Sequence, residues 1–341
     1  MATYYADFDL GTGDNDGTSW ANAWRTMADA IAGSNGTAPA AGDTVYCRGT
    51  DTLSSSPTNA LSGDETNGLI KWIGVNGAGN NDGTRAILDA NSNDVAPLTI
   101  NGNYNLYENF GFTGSGNSSG VAGTGDYNVW INCAFYSNAQ NGYGTYGGYD
   151  WFIRCVAYGN GWNGYSIGIS SHILFCRARG HTSSGYAGFY LHSGAESVMI
   201  GCIASGNNIG FGNVSTCSLL FGCIADGNED DGFIARSTTI YNIGVIGCRI
   251  TNQSGSGDIG LNCNNEIVLY GWNYISNNAD TIANDAISYA LTYNGAATNT
   301  LSADGASAGD TDEGYTAGSP YDYNLRSDAT LRRTAITVPY D

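Results

Sequence analysis

The chain has 341 residues, with 50 glycines, 5 prolines and 13% charged against 42% apolar side chains. That apolar share can build a core and excludes wholesale disorder, and glycine without a triplet period excludes collagen. A formal charge of −19, from 31 acidic and 12 basic residues, opposes nucleic-acid binding, and no apolar run reaches the ~18 residues of a membrane-spanning helix.

The N-terminus, Met1-Ala2-Thr3-Tyr4-Tyr5, runs straight into strand-like sequence without a basic or apolar leader. No signal peptide is therefore expected, and nine cysteines, an odd number, point to reduced thiols made in a cytoplasm. Asp14-Asn15-Asp16-Gly17 has part of a calcium-loop pattern but lacks its full spacing, so an Asx-bonded turn is expected. Residues 19–33 are predicted to be the one real helix. Trp20, Trp24, Met27 and Ile31 form its apolar stripe, Thr18 or Ser19 its cap and Gly33 its end. It would plug the open N-terminal end of a coil of short strands. Residues 1–43 are thus a strand and a capping helix, and residues 44–110 the first, less regular turns of that coil.

From there a repeat organises the chain. Cys133, Cys155, Cys176, Cys202, Cys223, Cys248 and then Trp272 recur at spacings of 22, 21, 26, 21, 25 and 24. Each follows a short apolar run, and five residues later stands Asn138, Asn160, His181, Asn207, Asn228 or Asn277. A small residue before an apolar one is the third marker, as in Gly142-Tyr143, Gly164-Tyr165, Gly188-Phe189, Gly210-Phe211 and Gly232-Phe233. Short β-branched and aromatic segments punctuated by glycine exclude helical repeats and fit an all-β parallel solenoid over residues 44–290, with rungs stacked at about 4.8 Å. Asparagines repeated at one turn are expected to form a ladder. Residues 291–341 change character and form a C-terminal tail packing on its own or a neighbouring subunit.

Strict alternation along each strand would put Val129, Ile131 and Cys133 on one side, assigned to the interior, with the cysteines as small apolar filler. His172 shares that phase. The opposite side then carries Trp130, Phe152, Ile173, Met199, Leu220, Val245 and Leu269. Seven outward apolar residues on successive rungs require cover by the chain's own C-terminal segment or by a second subunit. The second is favoured, so these are the expected oligomer interface, and Leu220→Asp should disturb assembly without unfolding the coil.

These repeats, together with Tyr4-Tyr5-Ala6-Asp7, Asp14-Asn15-Asp16-Gly17-Thr18-Ser19-Trp20, Ala23-Trp24-Arg25-Thr26 and Gly42-Asp43-Thr44-Val45-Tyr46, resemble the right-handed parallel β-helix, or pectate-lyase-like, superfamily. The resemblance implies that fold, with rungs of about 22–26 residues, and a trimer about an axis parallel to the coil. It also suggests glycan-cleaving chemistry, but the motifs of polygalacturonase-like enzymes are absent, and the single lysine, Lys71, supports no calcium-dependent lyase pattern.

Among candidate catalytic groups, Glu229, Asp230 and Asp231 form the densest carboxylate cluster, of the kind glycoside hydrolysis would use, and His181 could serve as a base. An acidic turn and a ladder position are the plainer readings of both. No metal site or cofactor is expected, since no paired Cys or His spacing occurs. Tyr143, Tyr146, Tyr149, Trp162, Tyr165 and Tyr186 could form a sugar-stacking face or ordinary tyrosine ladders. The sequence leans away from an enzyme. The expected function is a structural virion protein of a tailed phage, a trimer decorating or cementing the capsid. It would sit on the virion surface after assembly in the host cytoplasm, touching capsid or other virion proteins. Arg326, Arg332 and Arg333 could dock on an acidic shell. The alternatives are a polysaccharide-degrading, tailspike-like enzyme or a carbohydrate-binding adhesin.

Overall fold

The computed structural model describes residues 1–192, 196–212, 218–235 and 243–251, followed by backbone strands as far as Asn294. The chain winds as a parallel β-solenoid of three sheets with 12, 11 and 10 strands. One turn of the coil runs through Val129–Ile131 in the first sheet, Ala134–Tyr136 in the second and Tyr143–Thr145 in the third. The next begins at Trp151–Ile153, in register on Val129–Ile131. Thr3–Asp7 already belongs to the first sheet, paired with Thr44–Arg48.

The predicted single helix is two pieces. A 3-10 turn, Trp20–Asn22, is capped by Ser19, and an α-helix, Met27–Ala32, is capped by Thr26 and ended by left-handed Gly33. The helix breaks between them because the backbone of Trp24 is recruited to the sheet edge. Its N–H donates to Tyr5 O at 3.0 Å, and its carbonyl accepts from Asp7 N at 2.8 Å. Trp24, Met27 and Ala30 are fully buried and join the core of the first strands. Asp51 holds the helix start, its Oδ2 accepting from Met27 N at 2.7 Å.

The assignment of faces on the first sheet is reversed from the alternation argument. Trp130, Phe152, Ile173, Met199 and Leu220 are fully buried, and Val245 is 1% exposed. They form one inward column, each in register with the next. Leu269 is paired with Val245 in the backbone register, and its side chain lies outside the described residues. The cysteines are also inside, as expected, because one residue at the corner breaks the period. Asn132, Arg154 and Phe175, with φ of 51°, 55° and 56°, and then Gly201, Gly222 and Gly247 adopt the left-handed conformation between the first and second sheets. Each therefore turns the chain without contributing a side chain to the interior, and inward positions fall three residues apart, at 130 and 133, instead of two.

Those corners explain the cysteines better than volume alone. Several thiols donate to the carbonyl of an inward residue one rung back: Cys133 to Tyr107, Cys155 to Trp130, Cys202 to Ile173, at 3.4, 3.3 and 3.2 Å. A small apolar side chain that also carries a weak donor suits a corner where a buried carbonyl would otherwise lack a second partner. Burial pushes the thiol of Cys47 up, and the hydrogen bond with Cys202, helped by burial, pushes up that of Cys223, so both stay protonated.

The third sheet contributes Tyr143, Tyr165, Phe189, Phe211 and Phe233 to the core. The last four stack with centroids 4.9, 5.1 and 4.6 Å apart. Opposite them the second sheet narrows to Ala157, Ala178, Ala204 and Ala225, which keeps the cross-section filled. The small-before-apolar marker has a contact reason. A Cβ on Gly142 would stand 2.6 Å from Gly164 O and 2.7 Å from Asn160 Nδ2, and Gly164 and Gly210 are equally confined.

Candidate functional site

Three polar ladders run inside the coil. In the first, Asn138 N and Nδ2 both donate to Asn160 Oδ1 at 3.0 Å, and Asn207 repeats this on Asn228 at 3.1 Å. His181 takes the intervening place. Its Nδ1 accepts from Asn160 N at 3.3 Å, its own N–H donates to Asn207 Oδ1 at 3.2 Å, and Nε2 is buried without a partner. Burial lowers its pKa to about 4. A fully buried, neutral imidazole in a ladder is a structural spacer, so His181 does not serve as the expected base.

The second ladder, Asn163 on Asn141, holds the turn before the third sheet. The third precedes the first sheet. There Asn105 N donates to Asn128 Oδ1, Asn128 N to Asp150 Oδ1 at 2.8 Å, and Asp150 N to Ser171 Oγ. Asp150 also accepts from Tyr143 Oη at 2.5 Å. It is 1% exposed, and burial raises its carboxyl to about 7 against the lowering effect of these hydrogen bonds. Sequence reasoning missed this group. Its only signal was an aspartate at a position where neighbouring rungs carry Asn or Ser.

The three residues of the carboxylate cluster differ in exposure. Glu229 is exposed, Asp230 half-buried and Asp231 1% exposed. The backbones of Glu229 and Asp230 continue the ladder onto Asn207 and Asn208, as expected of an acidic turn. Asp14–Gly17 forms the expected Asx turn, with Asp16 Oδ1 accepting from Thr18 N and Oγ1 at 2.9 and 2.7 Å. Arg326, Arg332 and Arg333 lie outside the described residues.

The aromatic candidates divide. Tyr143 and Tyr165 are core residues. Tyr149 stacks on Tyr127 at 4.7 Å, which stacks on Tyr104 at 5.0 Å, and Trp162 stacks on Tyr186 at 5.4 Å. Parallel rings one rung apart cover each other's facing sides, so each column offers a sugar only its edges and its outermost ring faces. Tyr146 differs, at 82% exposed. It lies 5.8 Å from the His192 ring, whose Nε2 is 2.8 Å from Ser166 Oγ, and Tyr190 meets the same imidazole edge-on at 5.4 Å.

His172 points outward, contrary to its expected interior phase, and stacks on Trp151 at 4.2 Å. The two belong to the most extensive surface feature, the outer face of the first sheet. Over the six strands from Val129–Ile131 to Ile243–Ile246 one outward column reads Val129, Trp151, His172, Val198, Leu219, Gly244. The other reads Ile131, Ile153, Leu174, Ile200, Phe221, Ile246. Trp151 is 41% and Phe221 50% exposed, the rest half-buried. None is an acid, lysine or arginine, and burial lowers the pKa of His172, so the face is uncharged at neutral pH. At the rung spacing it is about 24 Å long. An apolar stripe therefore exists outside this sheet, carried by different residues than expected.

No protein-family model and no curated protein matches the sequence. Among solved structures, the chain is similar to a crystal structure of pectate lyase Pel9A, with a TM-score of 0.62 and 19% identity over 86% of this chain and 79% of that one. Weaker likenesses are to an alginate lyase from Paenibacillus, with a TM-score of 0.45 and 12% identity over 86% and 95% of the two chains, and to the Azotobacter vinelandii mannuronan C-5 epimerase AlgE4 A-module, with 0.44 and 14% over 87% and 90%. The first of these shows the fold: the chain is a right-handed parallel β-helix of pectate-lyase-like architecture.

Proposed function

We propose that this β-helix is a non-catalytic structural component of a larger particle, a trimeric virion protein of a tailed phage that decorates or cements the capsid. The observation that carries this reading is the outer face of the first sheet. A chain with a formal charge of −19 leaves twelve outward positions there without a fixed charge, so copies that repel elsewhere can approach along it. Its flat, rung-spaced geometry suits packing of coils side by side about a parallel axis. Ile153→Asp with Phe221→Asp should convert the assembled protein to monomer in sedimentation velocity while leaving its melting temperature within a few degrees. A wild-type chain that is monomeric at micromolar concentration would sink the reading. Mass spectrometry of the source particle, with copy number, separates decoration (hundreds of copies) from a spike (few).

One observation favours an enzyme of the polysaccharide-degrading type as a second reading. Ser166, His192, Tyr190 and exposed Tyr146 converge on the outer face of the third sheet. Shortening of a polysaccharide by purified protein, abolished in His192→Ala, would replace the structural reading with this one.

A further inference from the structure

The corner joining the first and second sheets carries a basic cluster that stands out in so acidic a chain. Arg154 occupies the left-handed corner, and Phe175 holds the same place one rung later. Arg177 and Arg179 project from the adjoining strand of the second sheet, where Arg177 pairs with Val156 and Arg179 with Tyr158. All three arginines are exposed, and none forms an ion pair with any described residue. The outward neighbours in register, Ala134, Tyr136, Val156, Tyr158, Ile203 and Ser205, bring no carboxylate. The guanidinium of Arg179 lies over the Tyr158 ring at 5.4 Å, and the other face of that ring is taken by Tyr136 at 4.9 Å. The aromatic column therefore holds the exposed guanidinium at the surface, and its N–H groups are the kind that pair with a planar oxyanion. Phe175, 57% exposed, supplies an apolar anchor beside it.

We infer that Arg154, Phe175, Arg177 and Arg179 form a docking site for an acidic protein segment, one that sets carboxylates beside an apolar side chain. Charge complementarity selects an acidic partner. Protein is favoured over glycan because an arginine–aromatic mixture with an exposed Phe is interface-like, while the Tyr158 ring at this site has its two faces taken by Arg179 and Tyr136. The site borders the apolar first-sheet face but does not depend on the assembly reading.

The test uses fluorescence anisotropy with the full chain and three labelled probes: a Glu–Leu repeat peptide, poly-glutamate and heparin. The Glu–Leu peptide should bind saturably and tightest. Its affinity should fall at least tenfold in Arg177→Glu/Arg179→Glu and severalfold in Phe175→Ala, and weaken with added salt. Unchanged circular dichroism and sedimentation of these surface variants would show that fold and self-association are intact, which keeps this outcome separate from the assembly test. No saturable binding of the peptide, tighter binding of heparin, or equal binding by the double variant would each overturn the proposal.

Discussion

His181 and Asp150 show what one residue costs inside a ladder. Asn138, Asn160 and Asn207 satisfy two donors and an acceptor each with the rungs beside them, whereas the His181 imidazole leaves Nε2 unpaired. Its folded pKa of about 4 lies below the unfolded value of 6.5. The stability it permits is therefore present above about pH 6.5 and lost as pH falls through 4. His181→Asn should remove that acid sensitivity and raise the melting temperature at pH 5, read by thermal denaturation across pH. Asp150 has the opposite sign. Its folded carboxyl titrates at about 7, above the ordinary aspartate value of 3.8, so its contribution is fully present below about pH 4 and lost as pH rises through 7. Asp150→Asn keeps an acceptor for Asn128 N and a partner for Tyr143, and should stabilise the protein at pH 8 by on the order of a few kcal/mol while changing little at pH 4. The same residue scale decides Leu220. As a fully buried core side chain, it should unfold the coil when replaced by Asp, since an unpaired buried carboxylate has no compensation. Loss of near-ultraviolet dichroism would report it, and a folded but dissociated variant would argue for the outward assignment.

At the scale of elements, the three-residue strands are too short to be stable alone and exist because each pairs with parallel neighbours, on both sides everywhere but at the sheet ends. The turns between them set which side chains face in. A left-handed residue at Asn132 or Arg154 costs strain in a non-glycine side chain, and later rungs place Gly201, Gly222 and Gly247 there instead. Arg154→Gly should accordingly be tolerated and stabilise modestly, by up to about 1 kcal/mol, in urea melts. The 3-10 turn and short helix show the same priority of tertiary pairing over local pattern. An apolar stripe at helical spacing was present in the sequence, but Trp24 gave its backbone to Tyr5 and Asp7.

For the whole molecule, the core and the surface answer different questions. Among the described residues the interior is a filled stack of Trp, Tyr, Phe, Met and Cys columns that accounts for the fold. The outside is divided by sheet: an uncharged apolar face on the strands of the first from Val129–Ile131 to Ile243–Ile246, an arginine and tyrosine face on part of the second, and a Ser–His–Tyr grouping on the third. Assembly, acidic docking and catalysis make distinct demands on these three faces, so the variants named for each discriminate among them.

The repeat was legible from sequence because rung stacking forces equivalent side chains into equivalent positions, so cysteine, asparagine and the glycine pair recur at one period. The parallel solenoid, the asparagine ladder and the buried cysteines are consequences of that period. Which face of the first strands points inward is not. Both phases are apolar, as in Val129-Trp130-Ile131, and the deciding event is one left-handed residue at position 132, whose conformation has no single-residue signature when Asn, Arg, Phe and Gly all occupy it. The candidate site suffered for the same reason. The outer apolar stripe was inferable from composition, but its residues, the unpaired arginines beside it and the ring faces spent in stacks are relations between rungs, and only the tertiary register brings those side chains together.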